Sequence, residues 1–414
     1  MVLKIKLILI VVSTLASLAA LHPAVVAFFQ KTKGSYLVSG YYILRILFLG
    51  VAISCFHFSY PAWNPIYFYD VGTRVLAGQV PDRDFFTPYS SLFPYFPATA
   101  VALWPSLFSI VLLFQLIEWL AIYLLVGDAG PKFGIPAFLL YALNPVTLVY
   151  FWLGAEQSAF VLLALALALH WRRPFANGTG AALGIMVSKV LALWFLIPLL
   201  LARGWKMRFT FIGVCLLVAL PFFLVGSTAM SSRITYPDGH LGDQTLLGTA
   251  GSIWDFYDAS PAITRFVVVA ALALTALFIT WRHMSLYGFG ANPVEADVQK
   301  FVALSAVCLI FAFQVFFKDI VSDYVCPATW LIPLLLVRNN VRKFDFYLFL
   351  AVAAMQTSCE LLMYHNSEYA AHPGFLTAFY SFVRHVSPLL ALSLLIRFLY
   401  LLSQFKPSAR GIAA

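Results

Sequence analysis

The chain has 414 residues, of which 62% are hydrophobic and 10% charged, whereas a soluble domain carries about 25% charged residues. That balance excludes a water-soluble globular protein and implies an all-α polytopic membrane protein, one integral domain over residues 1–414. The formal net charge of +9 does not point to nucleic acid, because in a membrane protein basic residues report which loops face the cytoplasm.

The opening run, MVLKIKLILIVVSTLASLAALHPAVVAFF, places two lysines ahead of a long apolar stretch. It resembles a signal peptide without a convincing cleavage site, so it reads as a retained helix. The run YYILRILFLGVAISCFHF then has membrane-spanning length. Residues 59–96 break the apolar pattern. Here YDVGTRVLAGQVPDRDFFTPYSSLFPYFP gathers three carboxylates, Asp70, Asp82 and Asp84, with two arginines, Arg74 and Arg83. Gly72, Gly78, Pro81 and Pro88 read as turns, and VGTRVLAG between them as a short amphipathic helix lying in the interface. The loop's negative charge places it outside. A carboxylate at that boundary is partly desolvated, which raises its basicity, and it reaches both a soluble acceptor and a lipid head.

The next stretch, Phe93 to Gly127, reads either as one long helix or as two broken at Pro105. Upstream parity depends on that choice, and the total comes to about ten to thirteen spans. Residues 175–202, between the basic loops HWRRP and ARGWKMR, are too short for two full spans of about 20 residues. They read as a hairpin of short or tilted helices with Lys189 near its tip. Further spans are expected at about 209–226, 263–281, 300–317, 320–337, 344–363 and 375–402, with an outer loop at 227–262.

The loops sort into two alternating sets. One is basic: Arg172 and Arg173; Arg203, Lys206 and Arg208; Arg338, Arg342 and Lys343; and the tail with Lys406 and Arg410. The other is acidic: the 59–96 loop; Asp238, Asp243, Asp255 and Asp258; Asp319 and Asp323; and Glu360 and Glu368. The positive-inside rule makes the first set cytoplasmic, in contact with anionic lipid. The cysteines show no metal-ligand spacing and read as buried thiols. His365 and His372, beside Glu360 and Glu368, follow no recognised ligand pattern and read as part of a hydrated loop. Aromatics such as Trp63 and Trp254 are first a matter of helix contact and interfacial belts.

Four stretches, in order, resemble the GT-C superfamily of membrane glycosyltransferases, in its mannosyltransferase-like branch. GTRVLAGQVPDRDFFTPYSSLFPYFPA looks like that family's first outer loop. YALNPVTLVYFWLGAEQSAFVLLALALAL is similar to its helix, Asn-Pro, polar turn and helix. GAALGIMVSKVLALWFLIPLLL resembles its lysine-bearing hairpin, and SDYVCPATWLIPLLL its later outer-loop Tyr and Pro-rich span. The likeness covers about residues 60 to 340, and the order of the motifs carries it.

The resemblance implies a GT-C-like bundle in a bacterial plasma membrane with its site on the outer, periplasmic face. It also implies transfer of one sugar from a polyprenyl-phosphate donor to a hydroxyl of a lipid or glycan acceptor, usually with inversion. A first-loop carboxylate takes the hydroxyl proton and basic residues hold the leaving phosphate. No nucleotide is needed. A divalent metal is possible beside Asp82 and Asp84 but not implied, since basic residues alone neutralise a phosphate. The chain departs from the family at Asn64, where the catalytic Asp usually stands. Either Asp70 or Asp84 then serves as base, Asp70 first, or the chain has lost the reaction.

Other roles follow the same resemblance, each beside a plainer alternative. Lys189 is a phosphate contact or a snorkelling side chain. Arg74 and Arg83 hold the phosphate or form salt bridges to neighbouring aspartates. Glu156 and Gln157 form a second polar site or an ordinary turn. Lys318, Asp323 and Tyr324, with Asp319, face the cavity or make a solvated helix cap. The rivals to an enzyme are a transporter or flippase of lipid-linked sugars, and a non-catalytic glycolipid-binding relative.

Overall fold

The computed structural model describes residues 2–56, 63–85, 87, 90–148, 158–170, 173–187, 193–225, 261–288, 295–316, 325–364 and 373–407. They are all-helical, and their elements are α1 (Val2–Ala19), α2 (Pro23–Gln30), α3 (Gly34–Phe56), α4 (Trp63–Leu76), α5 (Tyr95–Leu103), α6 (Leu107–Ala142), α7 (Ser158–His170) and α8 (Pro174–Val187). The second half follows as α9 (Leu193–Ala202), α10 (Trp205–Leu224), α11 (Pro261–Tyr287), α12 (Glu295–Phe316), α13 (Cys326–Val337), α14 (Lys343–Tyr364) and α15 (Pro373–Ser403).

Six helices among the described residues are long and apolar enough to cross a membrane: α3, α6, α10, α11, α12 and α15. The bent pair α1 and α2, meeting at 84°, would make a seventh. A multi-pass helical membrane protein is therefore the architecture. The described residues thus give six or seven of the about ten to thirteen expected spans. Within them α7, α8, α9 and α13 run 13, 14, 10 and 12 residues, against the about 20 that cross a bilayer core of about 30 Å.

The stretch from Phe93 to Gly127 resolves into two helices. α5 ends at Leu103, Trp104 is extended (φ −153°, ψ 103°), and Ser106 caps α6 by accepting the Phe108 N–H. α6 itself is folded back. Gly130 has φ 73° and ψ 166°, outside helical space. Eight residues apart in sequence, Gly134 and Val126 touch, so that a Cβ on Gly134 would overlap the Val126 carbonyl. The Tyr141 hydroxyl reaches the Glu118 carboxylate at 2.6 Å, whereas 23 residues of straight helix would hold them about 34 Å apart. Residues 107–129 and 131–142 are therefore antiparallel arms closed by Gly130 and Pro131, where only glycine takes the positive φ freely.

One end of the bundle is basic. Arg203 pairs with Glu295 through two bonds of 2.6 and 2.8 Å, Arg338 bonds Gln299, and Arg397 pairs with Asp345. Arg282 donates to the Leu402 and Phe405 carbonyls, and the Arg338 guanidinium lies over Phe133, just past the α6 turn. The expected basic loops at 203–208 and 338–343 and the tail thus share one end with the α6 turn. α3 starts there too, because Gly34 lies against Val126 and Ile135. Its 23 residues then rise about 34 Å, which carries α4 and its loop to the opposite end.

α12 is the axis of the bundle, nearly all of its length being buried, with α9, α11, α13 and α15 packed on it. α10 lies on the perimeter with Met207 its buried residue, and its Phe209, Leu216, Leu217, Phe223 and Leu224 face outward as a lipid-facing helix requires. α8 packs on α7 and α10 while α9 packs on α12, so the two arms of residues 175–202 rest on different neighbours. Among the described cysteines, Cys308, Cys326 and Cys359 are buried thiols and Cys215 is half-buried.

Candidate functional site

α4 is longer than the sequence reading expected. It runs 14 residues, and Gly72 is not a turn but a mid-helix contact. A Cβ there would lie 2.9 Å from the Pro97 carbonyl carbon and 3.0 Å from the Ala98 nitrogen, so α4 and α5 meet backbone to backbone. The helix ends where Gly78 takes φ +82°, the usual left-handed stop.

An aromatic floor fixes this layer to the bundle. Phe68 of α4 stacks on Phe114 of α6 at 5.0 Å and 12°, and meets Phe93 edge-on at 5.2 Å. Phe160 of α7 contacts Phe93, Phe96 and Phe114 at 5.2 to 5.3 Å. All but Phe96 are fully buried.

Above that floor, the predicted bases and the predicted phosphate ligands pair with each other. Asp70 Oδ2 accepts from Arg74 Nε at 2.8 Å, one helical turn apart, with side chains 57% and 45% exposed. The Arg74 guanidinium also lies 5.8 Å from the centre of the Phe85 ring. Arg83 donates to both oxygens of Asp84, at 2.9 and 2.7 Å, and the Val80 N–H donates to Asp84 Oδ2 at 2.7 Å. Those bonds, Arg83 first, hold the Asp84 carboxyl down at about 2 against an ordinary 3.8. A carboxylate so acidic is a weak proton acceptor at neutral pH.

Asp82 sits between the two pairs in the left-handed region, φ 62°, which Asp tolerates better than most residues. Its N–H donates to the Phe85 carbonyl, closing the 80–85 turn, and its Oδ2 accepts from the Ser91 hydroxyl at 2.7 Å. Asp82 therefore turns inward, toward the buried Thr87, Ser90 and Ser91, while Asp70 turns outward. Position 64 lies on α4, six residues before Asp70. That is about 9 Å along the axis and about 120° around it, so Asp70 occupies a different place from Asn64.

Lys189, Glu156, Gln157, Lys318, Asp323 and Tyr324 lie outside the described residues, as do the 227–262 loop up to residue 260, His365 and His372. Among the described residues no group of three His, Cys, Asp or Glu could hold a metal ion.

A polar network that the loop-centred reading passed over lies one turn beneath the floor. Glu118 Oε1 accepts from Arg45 at 2.9 Å, from Tyr42 at 2.8 Å and from Tyr141 at 2.6 Å. Arg45 and Glu118 are 0% and 1% exposed. The network joins α3 to both arms of α6, and the Tyr41 hydroxyl adds a bond to the Ala142 carbonyl. Arg45 is 11 residues from either end of α3, about 16 Å, and so lies at mid-span. The signal was present: a lone arginine in YYILRILFLG and a lone glutamate in LFQLIEWLA are each expensive in lipid unless partnered. No family model matches this chain, and no curated protein matches it.

Proposed function

We propose that the chain is a GT-C-type integral membrane glycosyltransferase, moving one sugar from a polyprenyl-phosphate donor to a hydroxyl of a lipid or glycan acceptor. The observation that carries this reading is the layer formed by residues 63–85 and 90–94. It is a folded platform, anchored through Phe68 and Phe93, that presents carboxylates and arginines together at the end opposite the basic loops.

In the reaction, Asp70 takes the proton of the acceptor hydroxyl as its oxygen attacks the anomeric carbon. The bond from that carbon to the phosphate oxygen breaks in line, and the phosphate leaves with the electron pair. Arg74, with Lys189, offsets its charge. Asp70 is favoured over Asp84 because Asp84 is committed to Arg83 and the Val80 N–H. Asp82, held by Ser91, shapes the loop that borders the donor. The site faces the outer compartment of a bacterial plasma membrane, and the basic end the cytoplasm.

The test is transfer of labelled sugar from polyprenyl-phosphate donors by the purified protein in nanodiscs. Asp70→Asn is expected to abolish turnover and retain donor binding. Absence of both transfer and donor binding would refute the assignment.

A second reading, a transporter or flippase of lipid-linked sugars, draws on the mid-span pair Arg45 and Glu118, since transporters carry charge near the midplane. The complete burial of that pair suits a clamp better than a transport path. Lipid-linked sugar crossing vesicles that hold the protein, with no transfer, would favour the transporter.

A further inference from the structure

Two of the three residues expected to bind phosphate, Arg74 and Arg83, are each already occupied by a carboxylate. The occupations differ in kind. Asp84 is held from two sides, by Arg83 and by the Val80 N–H, within a turn also closed by Asp82 N–H to Phe85 O. Opening that pair would open the turn. Asp70 and Arg74 instead sit on a helix that the Phe68 contacts hold in place, and their own bond closes nothing. Both side chains are about half exposed, a setting in which such a pair adds little to stability. Arg74 is also the basic residue in the last turn of α4, so the helix C-terminus keeps it in place whether or not Asp70 is bound.

The geometry points to an exchange latch: a phosphate group binds Arg74 by displacing Asp70, and the displaced carboxylate becomes the base. This rests on the glycosyltransferase reading and deepens it. The donor's phosphate competes with Asp70 for one guanidinium, so donor binding shifts Asp70 from the paired to the released form. Proton balance follows from the same swap. The positive charge of Arg74 passes from the carboxylate to the phosphate, and the freed carboxylate then receives the acceptor's hydroxyl proton. With no donor bound, Asp70 is paired with Arg74 for part of the time, which lowers idle activation of water. The Arg83 and Asp84 pair remains closed throughout and holds the turn against which Arg74 rests through Phe85.

The latch makes opposite predictions for the two members of one ion pair. Binding of farnesyl phosphate and of inorganic phosphate is measured on the full chain in nanodiscs for wild type, Asp70→Asn, Arg74→Gln and Asp84→Asn. Asp70→Asn removes the competitor and is expected to tighten farnesyl phosphate binding about threefold or more. Arg74→Gln removes the ligand and is expected to weaken it about tenfold. Asp84→Asn is expected not to tighten it. Inorganic phosphate following the same order more weakly assigns recognition to the phosphate itself; a response confined to farnesyl phosphate assigns it to the lipid-borne group.

Equal affinity in Asp70→Asn and wild type, or a loss in both Asp70→Asn and Arg74→Gln, would overturn the latch. Melting curves of each variant check that the fold persists. Sugar transfer without the opposite-sign response would sink the latch and leave the glycosyltransferase standing. The opposite-sign response without transfer would do the reverse, so the two failures are told apart.

Discussion

Arg45 and Arg74 each hold a carboxylate at 2.8 to 2.9 Å, but one pair is sealed at mid-span and the other lies half-open at the end of the bundle. Arg45 and Glu118 are closed off from the surface, and Tyr42 and Tyr141 donate to the same carboxylate oxygen. That pair is committed, because removing either partner strands a charge in a low-dielectric interior. Around Arg74 water competes for both partners, so the pair forms and opens at little cost. The difference teaches that the same two functional groups serve as a clamp in one setting and as exchangeable machinery in the other.

The sharpest way to break this comparison is at Glu118. Glu118→Gln leaves Arg45 buried without its counter-ion and is expected to destabilise the protein by about 3–5 kcal/mol, read as a fall in unfolding midpoint in mild detergent. The double variant Arg45→Met with Glu118→Leu is expected to recover most of that loss, since replacing a whole buried pair by apolar groups is often neutral. If the single and double variants were equally unstable, the pair would not be a self-contained clamp.

Next in size is Gly72→Val. Its side chain would press on the Pro97 and Ala98 backbone, which has no flexible end to yield, at a cost of about 1–3 kcal/mol. Because α4 carries Asp70 and Arg74, transfer activity is expected to fall further than stability does.

A smaller effect is the response of the Arg83 and Asp84 pair to pH. The Asp84 carboxyl is depressed in the folded chain to about 2 from an ordinary 3.8. Its contribution to stability is therefore complete above the unfolded value and lost as pH falls through the folded one. The 80–85 turn is expected to keep its protection from proteolysis above pH 4 and to lose it toward pH 2, and Asp84→Asn to remove that transition. Smallest of all, Asp70→Asn is expected to change stability by under about 0.5 kcal/mol while abolishing turnover.

Much of the architecture was legible in the sequence. The helices at 205–224, 343–364 and 373–403 fall within a few residues of expectation and that at 261–287 ends about six residues later, because apolar length and flanking charge suffice to place a helix along the chain. The break at Pro105 was visible as an alternative. The fold-back of α6 was not, because Gly130 and Pro131 sit between two apolar runs that look continuous, and the reversal shows only in the contacts of Val126 with Gly134 and of Glu118 with Tyr141. Gly72 read as a turn for a similar reason: a glycine chosen for a close tertiary approach and one chosen for a turn look alike until the partner, here Pro97, is seen. At the site, the residue types were legible and their pairing was not. Asp70 with Arg74 follows from helical spacing once α4 is known to be continuous, whereas the bidentate grip of Arg83 on its neighbour Asp84 depends on the turn that Asp82 closes. Arg45 and Glu118 lie 73 residues apart, and no local pattern joins them.

The central claim is tested most directly by sugar transfer on purified protein in nanodiscs, with a labelled polyprenyl-phosphate sugar as donor and wild type, Asp70→Asn and Asp84→Asn compared at matched donor occupancy. The account predicts transfer by wild type, none by Asp70→Asn despite bound donor, and reduced but measurable transfer by Asp84→Asn. Undiminished transfer by Asp70→Asn would contradict the assignment of the base, and a wild type that neither binds nor turns over any such donor would contradict the glycosyltransferase itself.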